Sequence, residues 1–174
     1  MMKKLIFLFF IVNFSYSQST LMLDKVKSKI NYKTKHIFNS WEGVNNDING
    51  VMVYDGVISK IALAAKLIDF DSGNSNRDLQ LLESIEILKF PYVKFYSEEI
   101  ELKGNEITFN GEIEFHGKKK QIKIIATNQT IKNQIKIQGK FQLLLSEFLE
   151  NIPAFMLFEI ENDVTISFEL YFDE

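Results

Sequence analysis

Two histidines, His36 and His116, are the first residues to test for acid–base or metal chemistry. They stand far apart in sequence and no Cys accompanies them. Without a His-Glu-x-x-His spacing a zinc site is poorly supplied, and no Gly-x-Ser-x-Gly turn offers a serine nucleophile. His36 falls on an apolar face, where a hydrogen-bonded core histidine is the ordinary occupant. Only a hydrolase or isomerase built on it would give it a catalytic role. His116 sits on outward parity beside a turn, which suggests a solvated role. Glu112 and Glu114 share an outward face and read as sheet surface. Arg77 and Asp78 are either a structural cap pair or a polar gate over a cavity mouth. The chain therefore reads as a non-enzyme with no catalytic residue, metal ligand or cofactor. The chemistry left to it is burial of an apolar molecule, each methylene contributing about 0.8 kcal/mol.

Such a molecule needs apolar walls, and the periodicity supplies them. Ile30, Tyr32, Thr34, His36 and Phe38 alternate with Asn31, Lys33 and Lys35, the period of a half-buried strand. Ile61, Leu63, Ala65 and Leu67 repeat the pattern, as do Ile107, Phe109, Gly111, Ile113 and Phe115. Ile122 and Ile124 follow, then Ile135, Ile137, Gly139, Phe141 and Leu143. Val164, Ile166, Phe168, Leu170 and Phe172 close the series. Val93, Phe95 and Ser97 are odd-numbered but Ile100 and Leu102 are even, which predicts a β-bulge near Glu98-Glu99. About eight antiparallel strands of this kind suggest a closed barrel or a sandwich. Large inward Phe argue that a barrel would be filled, whereas Ala65, Gly111, Gly139 and Thr34 argue for room.

Between two alternating blocks lies the stretch Phe70 to Phe95. Asp71-Ser72-Gly73-Asn74 is a polar turn, and Ser75 or Asn76 can cap a short helix over about 75–83. Pro91 cannot donate to a ladder and fits the start of the next strand. A helix at this place would cover one open end of a barrel.

The order of these residues resembles the YceI-like family, lipocalin-like proteins named for polyisoprenoid binding. The resemblance rests on Asp71-Ser72-Gly73-Asn74, Arg77-Asp78, and Phe90-Pro91-Tyr92-Val93-Lys94-Phe95, and on His116-Gly117-Lys118-Lys119-Lys120. Ser146-Glu147-Phe148 and Ile152-Pro153 add to it. The commoner family pattern puts an Arg where this chain has Leu144 or Leu145, which removes a cation that could meet a phosphate. The resemblance implies an all-β fold, a lipocalin-like antiparallel β-barrel of about eight strands with the helix over one end. It also implies a carrier that holds an isoprenoid, quinone-like or fatty-acyl chain in an apolar cavity.

The residues expected to line that cavity and its mouth are Tyr32, Thr34, His36, Phe38, Trp41, Leu63, Ala65, Leu67, Arg77, Asp78, Phe95, Phe109, Phe115, Phe141 and Phe168. Trp41 is either a plug at the rim or a wall of the site. The alternative is a filled barrel that serves as an envelope protein-interaction module without a small ligand. The Lys118–Lys120 run reads as a solvated turn or a contact for an anionic head group. A homodimer stays open.

The address comes from the N-terminus. Met1-Met2-Lys3-Lys4 precedes an apolar run from Leu5 to Val12, and Ser15-Tyr16-Ser17 supplies small residues for cleavage before Gln18. This reads as a signal peptide over 1–17, too short for a permanent membrane span, followed by one domain over 18–174. Removing Lys3 and Lys4 moves the net charge from −3 to about −5, which argues against nucleic acid. Export without Cys means that the core alone must hold the domain. A periplasmic or secreted location follows, and N-terminal sequencing of the exported protein is expected to begin at Gln18.

Overall fold

A computed structural model describes residues 19–37, 39–155 and 157–173. The expected leader and Phe38 lie outside the described residues. Alternation dominates the rest. Strands β1 (Ser19–Leu23), β2 (Lys29–Lys35), β3 (Ser40–Asn45), β4 (Ile48–Tyr54) and β5 (Ile58–Lys66) lead to helix α1 (Ser75–Ser84). Then come β6 (Tyr92–Lys103), β7 (Glu106–Phe115), β8 (Lys118–Ile131) and β9 (Gln134–Leu144). A small hairpin of β10 (Ala154–Phe155) and β11 (Phe158–Glu159) precedes β12 (Asp163–Asp173).

Every neighbouring pair in the main sheet is antiparallel, and the sheet closes on itself through β12. β12 pairs with β9 on one flank; on the other it pairs with β2 at Thr165–Glu169 and with β1 at Phe172–Asp173. β1 and β2 are thus two halves of one stave, and β3 and β4 are two halves of the next. The result is the expected all-β, closed eight-stave barrel with one short helix. β10 and β11 stand apart from it.

Each half-stave break is built by a buried polar residue. Ser28 is 1% exposed and its Oγ accepts from the Tyr171 N–H at 3.0 Å, while Asp24 Oδ1 accepts from the Val26 and Lys27 amides. Asn45 is fully buried; its Nδ2 donates to the Lys66 carbonyl and its Oδ1 accepts from the Asp47 amide. These bonds satisfy backbone groups that a broken ladder would orphan. They also reset parity: the inward residues are Leu21 and Leu23 but Ile30 and Thr34, Trp41 and Asn45 but Ile48 and Met52. A third reset is the expected bulge, where the register moves from Ser97↔Gly111 to Glu99↔Asn110 and leaves Glu98 unpaired.

At the far end of the barrel Ile48, Met52, Ile107, Ile137, Leu170 and Phe172 are all 1% exposed or less and shut the bottom. Burial of each such side chain contributes about 1.5–3 kcal/mol. At the other end Trp41, Leu67, Phe115, Phe148, Leu149 and Val164 pack beneath α1 and the β9–β12 connection. His116 and Gly117 both have positive φ, 50° and 72°, and make the two-residue β7–β8 turn. That turn lays the His116 ring on Phe90, centroids 4.3 Å apart, with Nε2 2.9 Å from Glu86 Oε2. His116 is therefore packed at the rim and not solvated as its parity suggested.

Gly111 faces inward at the bulge. A Cβ there would meet the Tyr96 carbonyl oxygen at 2.5 Å and the Phe95 ring at 2.7 Å. Backbone cannot swing aside like a side chain, so Gly111→Ala is expected to cost about 1–3 kcal/mol, read as a lowered urea midpoint at unchanged m-value.

Candidate functional site

The inward residues do not fill the barrel. Two hollows of about 100 and about 150 Å³ lie one above the other. Phe70, Val93, Leu143 and Ile166 border both and join them into one slot. The lower chamber takes its walls from β5, β6, β7, β9 and β12: Leu63, Ala65, Phe95, Phe109, Phe141 and Phe168, with Ile124 and Ile137. The upper chamber lies under α1, between Tyr32, Thr34, Leu67, Phe115 and Leu145 and the helix residues Asp78, Leu81 and Leu82, with Ile85 at the helix C-terminus. Protein interiors hold few voids larger than one water, so an apolar space of this size is a feature and not a packing defect. Its lining offers water almost no partners.

Glycine decides where the rings go. Gly43 lies opposite Tyr32, Gly50 opposite Leu63 and Gly139 opposite Phe168. In each case a Cβ on the glycine would collide with that partner, and Gly111 stands in the same relation to Phe95. The large side chains therefore rest on the wall, each over a glycine of the neighbouring strand. Phe95 meets Phe109 edge-on at 6.3 Å and Phe141 meets Phe168 at 6.4 Å, which fixes the rings around the slot.

The covered end is organised by Ser72. Asn74 caps α1 by accepting from the Arg77 amide at 3.1 Å; Ser75 and Asn76, the expected caps, are the first two helical residues. One turn earlier, Ser72 donates its hydroxyl and its amide to the two carboxylate oxygens of Asp78. Arg77 donates from Nε and one Nη to Ser72 Oγ, and from that Nη to the Ser72 carbonyl at 2.8 Å. The guanidinium carbon lies 4.8 Å from the Trp41 ring centroid, a cation–π contact. Asp78 borders the chamber, whereas Arg77 lies over Trp41 and does not line it. The Tyr32 phenol is pushed up by burial, with the Asp78 carboxylate adding to it; Trp41, Arg77 and Ser72 pull the other way without cancelling the rise. Tyr32 is thus a neutral phenol at physiological pH.

Of the expected site residues, the two chambers bring together Tyr32, Thr34, Leu63, Ala65, Leu67, Asp78, Phe95, Phe109, Phe115, Phe141 and Phe168. His36, Trp41 and Arg77 line neither chamber. Trp41 is 7% exposed and packs at the rim against His36 and Phe155. His36 is 8% exposed, with Nε2 2.9 Å from the Phe155 carbonyl, and fastens the β10–β11 hairpin to β2. The Leu81, Leu82 and Ile85 wall was not expected; its signal is the apolar i, i+1, i+4 spacing through the end of α1 and its C-cap. Among the described residues no cluster of three metal-binding side chains occurs, and no helix is long and apolar enough to cross a membrane.

A family model, the YceI-like domain, matches residues 21–172. The chain belongs to the YceI-like family. Its barrel is similar to that of BcnA from Burkholderia cenocepacia, with TM-score 0.77 and 18% identity over 86% of this chain and 98% of that one. A polyisoprenoid binding domain from Saccharophagus degradans gives TM-score 0.72 at 13% identity, covering 88% of this chain and 97% of that one. The YceI protein of Campylobacter jejuni gives 0.63 at 16%, covering 99% of each. No curated protein matches the chain.

The Ser72 joint gives this YceI-like chain a testable weak point. Ser72→Ala removes the hydroxyl that links Asp78 to the Arg77 guanidinium and keeps the two backbone bonds at position 72, a loss of about 1 kcal/mol because both partners are half-exposed. Hydrogen exchange is expected to quicken in α1 while the β7, β9 and β12 amides keep their protection.

Proposed function

We propose that this protein is an exported carrier that binds one lipid-like chain inside its barrel and performs no catalysis. An isoprenoid, quinone-like or fatty-acyl chain is the class of ligand. The carrying observation is the two-chamber apolar slot, closed below by packed side chains and roofed by α1. Affinity for a long hydrocarbon comes from its removal from water and requires no charged contact. Membership of the YceI-like family supports this reading, as does the polyisoprenoid-binding description of the similar Saccharophagus degradans domain. The basic, apolar N-terminal stretch supports a periplasmic or secreted address.

Organic extracts of protein purified after export should contain such a lipid by mass spectrometry, and delipidated protein should take it up again. Ala65, 2% exposed at the lower chamber wall, offers the control. Ala65→Phe is expected to abolish uptake while leaving a cooperative unfolding transition. Undiminished uptake by that folded variant would put the lipid outside the barrel; no lipid in the extract and none taken up would favour a protein-interaction module without a small ligand.

A further inference from the structure

The upper chamber carries one polar group that the fold does not use. Thr34 lies on β2 at 2% exposure and borders the chamber, yet its Oγ1 has no hydrogen-bond partner among the described residues. A buried hydroxyl without a partner costs about 1–3 kcal/mol, and a valine of nearly the same shape would avoid that cost. Ser28, Asn45 and Ser97 are satisfied by backbone groups; Asn31 Oδ1, Asp69 Oδ2 and Asn128 Oδ1 also lack a partner among the described residues, but those residues border neither chamber. Thr34 is the one that borders the upper chamber.

The charges around that space have a definite sign. Asp78 borders it with a carboxylate. Arg77, the adjacent cation, spends its hydrogen bonds on Ser72 and stacks over Trp41; its charge reaches the Tyr32 phenol, but Arg77 does not line the chamber. Leu145 and Leu82 fill the other walls, and no Lys or Arg lines the chamber. Tyr32 is held neutral. A phosphate or carboxylate head would enter a water-poor site facing a carboxylate and no cation, where like charges are costly to bring together.

We propose that the upper chamber is a head-group subsite for a neutral oxygen function, a hydroxyl or carbonyl, and that Thr34 Oγ1 is its hydrogen-bond partner. This rests on the carrier reading and adds to it the polarity and the direction of the ligand: head under α1, chain down into the lower chamber. Asp78 sets the specificity against anionic heads. A hydroxyl head can donate to Thr34 or accept from it, and a carbonyl can accept, so both belong to the class.

Three probes with one chain separate the possibilities: farnesol, its hydrocarbon counterpart farnesene, and farnesyl diphosphate, each titrated into delipidated protein. Farnesol is expected to bind about tenfold more tightly than farnesene, and farnesyl diphosphate more weakly than farnesol. Thr34→Val should bring farnesol down to the farnesene level while farnesene is unchanged, and Thr34→Ser should restore the preference. Asp78→Asn should narrow the gap between farnesol and the diphosphate. Equal binding of farnesol and farnesene to wild type, or a preference that survives Thr34→Val, overturns the head-group subsite and leaves the carrier intact. Tightest binding of the diphosphate overturns it also. Binding of none of the three removes the carrier reading and this inference with it.

Discussion

A closed eight-stave barrel has a fixed interior, and in this chain its division between side chains and empty space is set by ring-over-glycine pairing. Gly43, Gly111 and Gly139 each lie beneath an aromatic ring, and Gly50 lies beneath Leu63. With any larger residue at those positions the ring would be pushed off the wall toward the axis. Eight strands are close to the size at which side chains fill a barrel completely, so small displacements decide between a solid core and a slot. The glycines place that choice in the backbone itself, which moves least.

Closure at the top obeys a different constraint. The β5–β6 connection must leave the sheet, cross the opening and return, and its polar turn has to be satisfied away from any ladder. The bridge between Val44 and Asp71 pins the departing chain to β3, and the Leu67 amide donates to the Pro91 carbonyl where the chain comes back. Between those two clamps the helix is held by Ser72 and by apolar contacts of Leu81, Leu82 and Ile85. No residue of α1 is buried. A roof without a buried residue opens at lower cost than the barrel strands, which suits an entrance better than a foundation.

The sequence was most legible where one physical rule acted alone. Strands with one face inside and one face wet show strict alternation, so β7, β9 and β12 were readable residue by residue. The parity change between Ser97 and Ile100 could be read as a bulge for the same reason. Legibility failed where two rules met. β1, β3 and β4 went unread because each stave is broken midway by polar residues, and Ser28 and Asn45 look like loop residues until their backbone partners are known. The upper chamber was half-visible. Tyr32, Thr34, Leu67 and Phe115 followed from strand alternation, but the remaining cover comes from the 81–85 apolar face and from the 145–160 connection, whose apolar residues look like ordinary core. Ser72 read as one turn residue among several; that it joins Arg77 and Asp78 depends on a helical turn bringing both back to it.

Two opposite arguments could be made from composition, one from many inward Phe and one from inward glycines, and they are reconciled by register. A Phe adds bulk to a barrel axis only if its neighbour across the ladder is also large. Phe168 sits directly opposite Gly139, and Phe95 lies diagonal to Gly111, so the bulk is taken up in the wall. The same rings then present flat, weakly hydrated faces to the interior. Residues that seemed to compete with a ligand for space thus form the surface on which a ligand chain can lie, and the depth of the slot depends on which strand faces which, a property that no single strand carries by itself.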